Sequence, residues 1–431
     1  MKIYDNPPRD EREALCRRGG NDNAQVLETV ENILADVRAN GDGALRELTR
    51  RIDGVELESL KVSADEIAEA SAVVEPELKE AISRAMANIE TFHRAQLPDE
   101  ITVDTMPGVK CIQIPVPIDS VGLYIPGGTA PLFSTVQMLG VPARIAGCRR
   151  VVMCTPCGRD GKVAPAVLYA ASQCGITEIY KVGGAQAVAA MAYGTESIGR
   201  VNKIFGPGNR YVTMAKQIVS TQGTAIDMPA GPSEVMVLAD ESCNPEFVAA
   251  DFLSQCEHGR DSQAIAVCDT LELAEAIAEA TSRQAAKLSR SELVSESLSA
   301  SRIVVLGGRK EMIEFANLYA PEHLIISLTE PYDALRGITA AGSVFIGNFS
   351  PESAGDYASG TNHTLPTAGW AASLSGVNTE SFMRRMTVQE LTPEGITALS
   401  PTIIAMAQAE GLDAHANAVK VRVESLNEEK K

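Results

Sequence analysis

From residue 24 to 40 the apolar positions Val26, Val30, Ile33, Leu34 and Val37 recur every three or four residues, the spacing of one helix face. Gly41 stops that pattern, and Asp42 is placed to cap a second helix over 43–52. A third helix is predicted over 76–96, with Pro76 in a first turn where its missing N–H costs nothing. Near residue 118 the period changes. Short apolar runs at 121–125, 151–154, 178–182 and 201–204 alternate with helical patterns, among them 163–174 and 185–193. Three of the runs end in glycine turns: Pro126-Gly127-Gly128, Gly183-Gly184 and Gly206-Pro207-Gly208-Asn209. Strand, glycine turn and helix in succession predict βαβ units on a parallel sheet. After Pro232 the pattern restarts, with strands at 235–238, 264–268, 301–305 and 324–327 and helices at 245–255 and 271–288. That is a second α/β block. Residues 383–391 open a more charged tail, with a helix over 401–410, a stop at Gly411 and a last segment that includes 419–423. No low-complexity linker separates the blocks, so they are expected to pack firmly.

Length and composition narrow this picture. A chain of 431 residues exceeds what one core usually serves, so two or more domains are expected. Aromatics are only 4%, so the core must be mostly aliphatic. The net charge of −18 disfavours nucleic acid and anionic membranes as partners, and no local basic stretch reverses it. No run approaches the roughly 20 apolar residues of a membrane span. The opening string MKIYDNPPRDERE lacks the apolar core of a signal peptide, so a cytoplasmic location is expected. The nine cysteines are then expected to be reduced. Cys154-Thr-Pro-Cys157 is the one Cys-x-x-Cys; with no second pair at zinc spacing it reads as two incidental thiols at a strand end, a redox role staying open.

The candidate chemistry lies in the histidines. There are five, and four sit beside acids and amides: Gln255-Cys256-Glu257-His258, Pro321-Glu322-His323, Asp356 to His363, and Glu410 to His415. Imidazole titrates near neutrality and is the commonest metal ligand, and zinc takes nitrogen, sulfur and carboxylate donors. The clusters point to one metal-dependent acid–base site assembled from distant parts of the chain. Gln255 and His258, three apart at a helix end, share a face. Glu322 and His323 precede a strand and read either as an acid–base couple or as a capping pair. Residues 356–363 read as a polar loop, either site-lining or merely solvated. Glu410 and His415 flank the Gly411 break, open to the same choice. His93, alone on its helix, reads as a bystander. The glycine turns look like backbone cradles for phosphate or ribose, although none fits Gly-x-Gly-x-x-Gly. Gln186 and Asn209 are placed to bind a nucleotide there.

The strings YIPGGTAPLFSTV, KVGGAQAVAAMAYGTE, FGPGN, AIDMPAGPSEV, LSQCEHGRDSQ, PEHLII, SPESAGDYASGTNH, RMTVQEL and AEGLDAHANAV together resemble the histidinol dehydrogenase family, in the family's order and over nearly the whole chain. The resemblance implies an α/β fold of two incomplete Rossmann-like units with parallel sheets, a helical N-terminal extension and a small C-terminal tail domain swapped in a homodimer. The implied boundaries are 1–20 for the extension, 21–123 with 234–377 for the first α/β domain, 124–233 for the NAD-binding domain and 378–431 for the tail. It implies oxidation of L-histidinol through L-histidinal to L-histidine, the last step of histidine biosynthesis, with two NAD+ and one zinc per subunit. By similarity, Gln255, His258, Asp356 and His415 are the zinc ligands and also face the substrate. Glu322 and His323 are the catalytic pair. Ser233, His323, His363 and Glu410 contact substrate, and Tyr124, Gln186 and Asn209 contact NAD. Cys256 departs from the alanine of many members; one helix step from Gln255 it should face about 100° away, which argues against a covalent thiohemiacetal. A related zinc and NAD dehydrogenase of another polar alcohol is the competing reading, a zinc hydrolase or an inactive homologue a further one.

Overall fold

The structure, a computed structural model, describes residues 1–18, 23–127, 131–229 and 231–428. Gly128 of the first glycine turn therefore lies outside the described residues, as do the ends of the N-terminal extension and of the tail. The strands are β1 (Lys2–Asp5), β2 (Ile101–Met106), β3 (Val109–Pro117), β4 (Ser120–Tyr124), β5 (Arg150–Thr155), β6 (Glu178–Lys181), β7 (Lys203–Phe205), β8 (Ala225–Ile226), β9 (Glu234–Ala239), β10 (Gln263–Cys268), β11 (Arg302–Val305), β12 (His323–Ser327), β13 (Ser343–Ile346) and β14 (Met383–Leu391). Two compact units result, one of Met1–Gln96 with Ile118–Phe382, the other of Leu97–Pro117 with Met383–Lys431.

The first unit holds two parallel sheets, so the α/β expectation stands. One has the order β1-β11-β10-β9-β12-β13, the other β6-β5-β4-β7-β8. Every residue of β9 and β10 is buried. Parallel strands are covered on both faces by their crossover helices, which is why these strands read as unbroken apolar runs. In each sheet the chain leaves a central strand in both directions. The reversal falls between β4 and β7 in one sheet and between β9 and β12 in the other.

The helix Asn23–Ile52 is broken where Gly41 takes φ 51° and ψ −130°, as the sequence pattern requires. Its apolar face, with Val26, Val30, Leu34, Leu45 and Leu48, packs into the core of the five-stranded sheet beside Val152, Tyr180 and Val188. Apolar residues from Val26 to Leu60 thus share a core with the five-stranded sheet of residues 120–226. The N-terminal extension is not simply helical either. Residues Lys2–Asp5 pair with β11 as an edge strand before the helix Arg9–Leu15, because Ile3 and Tyr4 supply apolar contacts to opposite faces of that sheet.

The second unit is an antiparallel sheet, β14-β3-β2, with two helices. The tail helix expected over 401–410 runs Pro393–Ala409, with Pro401 in its interior. Thr392 caps it by accepting from the Gly395 N–H at 3.1 Å, and Pro393 sits in the first turn, a stronger start signal than Pro401. The last segment is a helix over Asp413–Glu428.

Candidate active site

Two strand entrances build the site. Glu234, 1% exposed, opens β9, and its carboxylate accepts both Arg18 Nε at 2.8 Å and Arg18 Nη2 at 2.9 Å, plus the Ala368 N–H at 3.0 Å. That clamp leaves its main chain free to hold the catalytic pair. The Glu234 N–H donates to Glu322 Oε2 at 2.8 Å, and the Glu234 carbonyl lies 3.1 Å from His323 Nδ1. Adjacent side chains converge here because the backbone turns just before them. Ala320 ends its helix with φ 50° and ψ 67°, a left-handed conformation unusual for alanine.

A carbonyl can only accept, so His323 Nδ1 carries a proton toward Glu234 and Nε2 is the nitrogen left to take or give one. Nε2 is buried with no hydrogen-bond partner and stands 3.7 Å from Asp356 Oδ1. Burial pushes the His323 imidazole down, but Glu352, Glu322 and Asp356 outweigh it and lift its pKa to about 10; a cation offsetting those carboxylates would lower it again and free Nε2 to accept a proton. Burial pushes Glu322 up to about 8.

The metal-type donors gather on the same cluster. Single ligand atoms from His258, Glu352 and Asp356 lie within 4.8 Å of one another. His258 Nε2 is 3.9 Å from Asp356 Oδ2. Desolvation holds His258 below the usual histidine range, so it is neutral and ligand-competent. Gln255 is fully buried in the last turn of the helix Pro245–Cys256. Its amide oxygen faces the Glu352 carboxylate, oxygen against oxygen, an arrangement that a shared cation would satisfy; without one, the opposite amide orientation would put Nε2 2.8 Å from Glu352 Oε2 and Oε1 3.1 Å from the Glu234 N–H. Glu352 and Asp356 repel one another and Glu322 in a dry site, and a divalent cation is what such a set fits.

Sequence reasoning missed Glu352. Residues 356–363 looked like a loop, but Asp356 belongs to a helix, Glu352–Tyr357, and four-residue spacing puts Glu352 on its face. Pro351 immediately before Glu352 was the available signal for that helix start. His363, half-buried, is held by the Asp356 carbonyl at 2.9 Å and by Thr135 Oγ1 at 3.2 Å. Ser233 is half-buried immediately before β9. Glu410 caps the helix Pro393–Ala409 and His415 lies on the helix Asp413–Glu428, both exposed and both in the second unit. The first unit alone therefore supplies Gln255, His258 and Asp356 of the expected zinc set. His93 is fully buried, with Nδ1 on the Ile89 carbonyl at 2.9 Å and Nε2 3.2 Å from the Asn362 amide; it ties a helix to the segment before His363. Cys256 is fully buried in an apolar core, its thiol pushed up by burial.

The carboxyl edge of the five-stranded sheet carries a cavity of about 1120 Å³. Tyr124, Gln186 and Asn209 all line it, so the three expected NAD contacts share one space. Tyr124 accepts the Gly184 N–H at 3.1 Å, and Asn209 caps the helix Arg210–Ser220 through Tyr211 N–H at 3.0 Å and Val212 N–H at 3.1 Å. Gly206, with φ 126°, lies so close to the Tyr124 carbonyl oxygen that any side chain there would overlap it. Cys157 lines the same cavity while Cys154 is fully buried, and all nine cysteines are free.

A parallel sheet with a crevice at its carboxyl edge, and a second sheet that sets an imidazole among carboxylates, are the parts a hydride-transfer enzyme needs. The class is that of an α/β dehydrogenase. The family model for histidinol dehydrogenase matches residues 16–423. A histidinol dehydrogenase of Bacteroides fragilis (strain YCH46) is 54% identical over 426 residues, covering 99% of this chain and 100% of the relative. One of Shigella sonnei (strain Ss046) is 52% identical over 421 residues, covering 97% and 96%. The crystal structure of histidinol dehydrogenase from Elizabethkingia anophelis superposes with a TM-score of 0.97 at 49% identity, covering 99% of each chain. The chain belongs to the histidinol dehydrogenase family, a family of oxidoreductases. Among the described residues no helix is long and apolar enough to cross a membrane.

Proposed function

We propose that the protein oxidises L-histidinol through L-histidinal to L-histidine, the last step of histidine biosynthesis, in the cytoplasm, with two NAD+ per turnover and one zinc per subunit. The observation that carries this reading is the unpartnered Nε2 of His323, buried among Glu322, Glu352 and Asp356. Gln255, His258 and Asp356 would hold the metal, with His415 of a homodimer tail completing the set and Glu410 beside it. Bound there, zinc would hold the amine and imidazole of the substrate and offset the negative charge around His323. NAD+ in the cavity of Tyr124, Gln186 and Asn209 would accept the hydrides.

The chain's own groups then do the proton work. Nε2 of His323 takes the hydroxyl proton in the first oxidation, its ring fixed by the Glu234 carbonyl. Glu322 takes a proton from water as the aldehyde is hydrated, and His323 accepts again as the hydrate is oxidised. Ser233 and His363 contact the substrate's polar ends.

The test is NADH formation from histidinol by the chelated protein, before and after zinc return. Activity should fall to background and recover with zinc; full activity after chelation would overturn the metal reading. Simple diols should yield no NADH. A second result bears on Cys256: because its thiol faces the core, Cys256→Ala should keep near wild-type turnover in both steps. Loss of aldehyde oxidation alone would reinstate a thiohemiacetal.

A further inference from the structure

Sheets in which the chain reverses beside the first strand bind dinucleotides at their carboxyl edge, and an acidic side chain there accepts hydrogen bonds from the ribose 2′-hydroxyl. In the order β6-β5-β4-β7-β8 the place for that acid is the end of β5, next to the central β4. Here β5 ends at Thr155 and continues into Pro156-Cys157-Gly158, with no carboxylate. An acid reaches the cavity from elsewhere. Asp53 follows the helix Asn23–Ile52 and lines the cavity together with Tyr124, Pro156, Cys157 and Gly184. Its Oδ2 is buried and has no hydrogen-bond partner among the described residues. Burial raises its pKa, and it shares the cavity wall with Pro156 and Cys157, the residues that follow β5.

We propose that Asp53 replaces the missing strand-end acid, binding the ribose diol of the dinucleotide and making the site select NAD over NADP. This rests on the reading of the cavity as an NAD site. The half-buried carboxylate in the cavity wall would accept hydrogen bonds from the ribose hydroxyls. A 2′-phosphate would instead bring like charge against an unpaired carboxylate.

The experiment is equilibrium titration of the full-length, zinc-loaded protein with NADH and NADPH, without substrate, followed by nucleotide fluorescence. Wild type should bind NADH at least about tenfold more tightly than NADPH. Asp53→Ser should weaken NADH about tenfold and tighten NADPH, because it removes one carboxylate from a cavity wall that also carries Arg159 and Lys162, the latter 3.8 Å from Glu69. Asp53→Asn keeps the shape and removes the charge, so it too should lose the preference even if the serine variant folds poorly. Retention of the wild-type preference in both variants would overturn the role of Asp53 and leave the NAD site standing. If wild type binds neither nucleotide, the NAD reading itself falls and Asp53 with it.

Discussion

His323→Asn is expected to slow both oxidations about 10³-fold, the usual worth of a positioned general base. The imidazole is held at one nitrogen by the Glu234 carbonyl and presents the other, unpartnered, to the cluster. An asparagine amide can still donate to that carbonyl, but it offers no basic nitrogen. The strand entrance should therefore stay folded while proton acceptance is lost. Single-turnover NADH formation, measured separately from histidinol and from histidinal, checks this, with zinc content confirming that the site is intact. A loss below about tenfold in either step would take the base role away from His323. Glu322→Gln is the internal contrast. Its amide oxygen can accept the Glu234 N–H in place of Oε2, so geometry is kept while water activation is lost. The second oxidation should fall well below the first; equal loss in both would refute the assignment.

Lys216→Met should destabilise the protein by about 3–5 kcal/mol, because it leaves one charge of a buried pair uncompensated. Lys216 and Asp227 form an ion pair with side chains only 2% and 1% exposed. The pair clamps the glycine turn at the end of β7: Lys216 Nζ donates to the Gly206 carbonyl at 2.8 Å, and the Gly206 N–H donates to Asp227 Oδ2 at 2.7 Å. Lys216→Met/Asp227→Asn removes both charges and keeps an acceptor for that N–H, so it should recover about 2 kcal/mol. Denaturant melts of the three proteins measure this. A single variant as stable as wild type would show that the charges do not hold the turn. Because Asn209 follows that turn, surviving folded Lys216→Met should also bind NADH more weakly.

Much of the scaffold was legible in the chain. Fully buried parallel strands such as β9 and β10 have no polar face, so their apolar runs mark them directly. The Gly41 break was legible because it follows from glycine's backbone freedom. The edge strand Lys2–Asp5 and β14 were not legible because they pair with partners distant in sequence, and the hairpin of β2 and β3 because its strands are exposed or half-buried almost throughout and carry no buried apolar face. The helix holding Glu352 and Asp356 was hidden by its shortness and by its polar string.

The site divides in the same way. Local rules place ligands at the carboxyl ends of parallel strands, and the cavity lined by Tyr124, Gln186 and Asn209 lies at such an edge. The proposed catalytic pair instead sits at the amino ends of β9 and β12, where Glu234 main-chain groups fix Glu322 and His323. No periodicity encodes that convergence. By itself the sequence determined the parallel α/β plan, the identities of the polar side chains and, through its strings, the family, since those depend on residue type and near-neighbour spacing. Only the tertiary structure decided which nitrogen of His323 is free, that Glu352 joins the donor set, and that Asp53 stands where a strand-end acid is missing. Those three depend on distances between segments about a hundred residues apart in the chain, and only packing sets such distances.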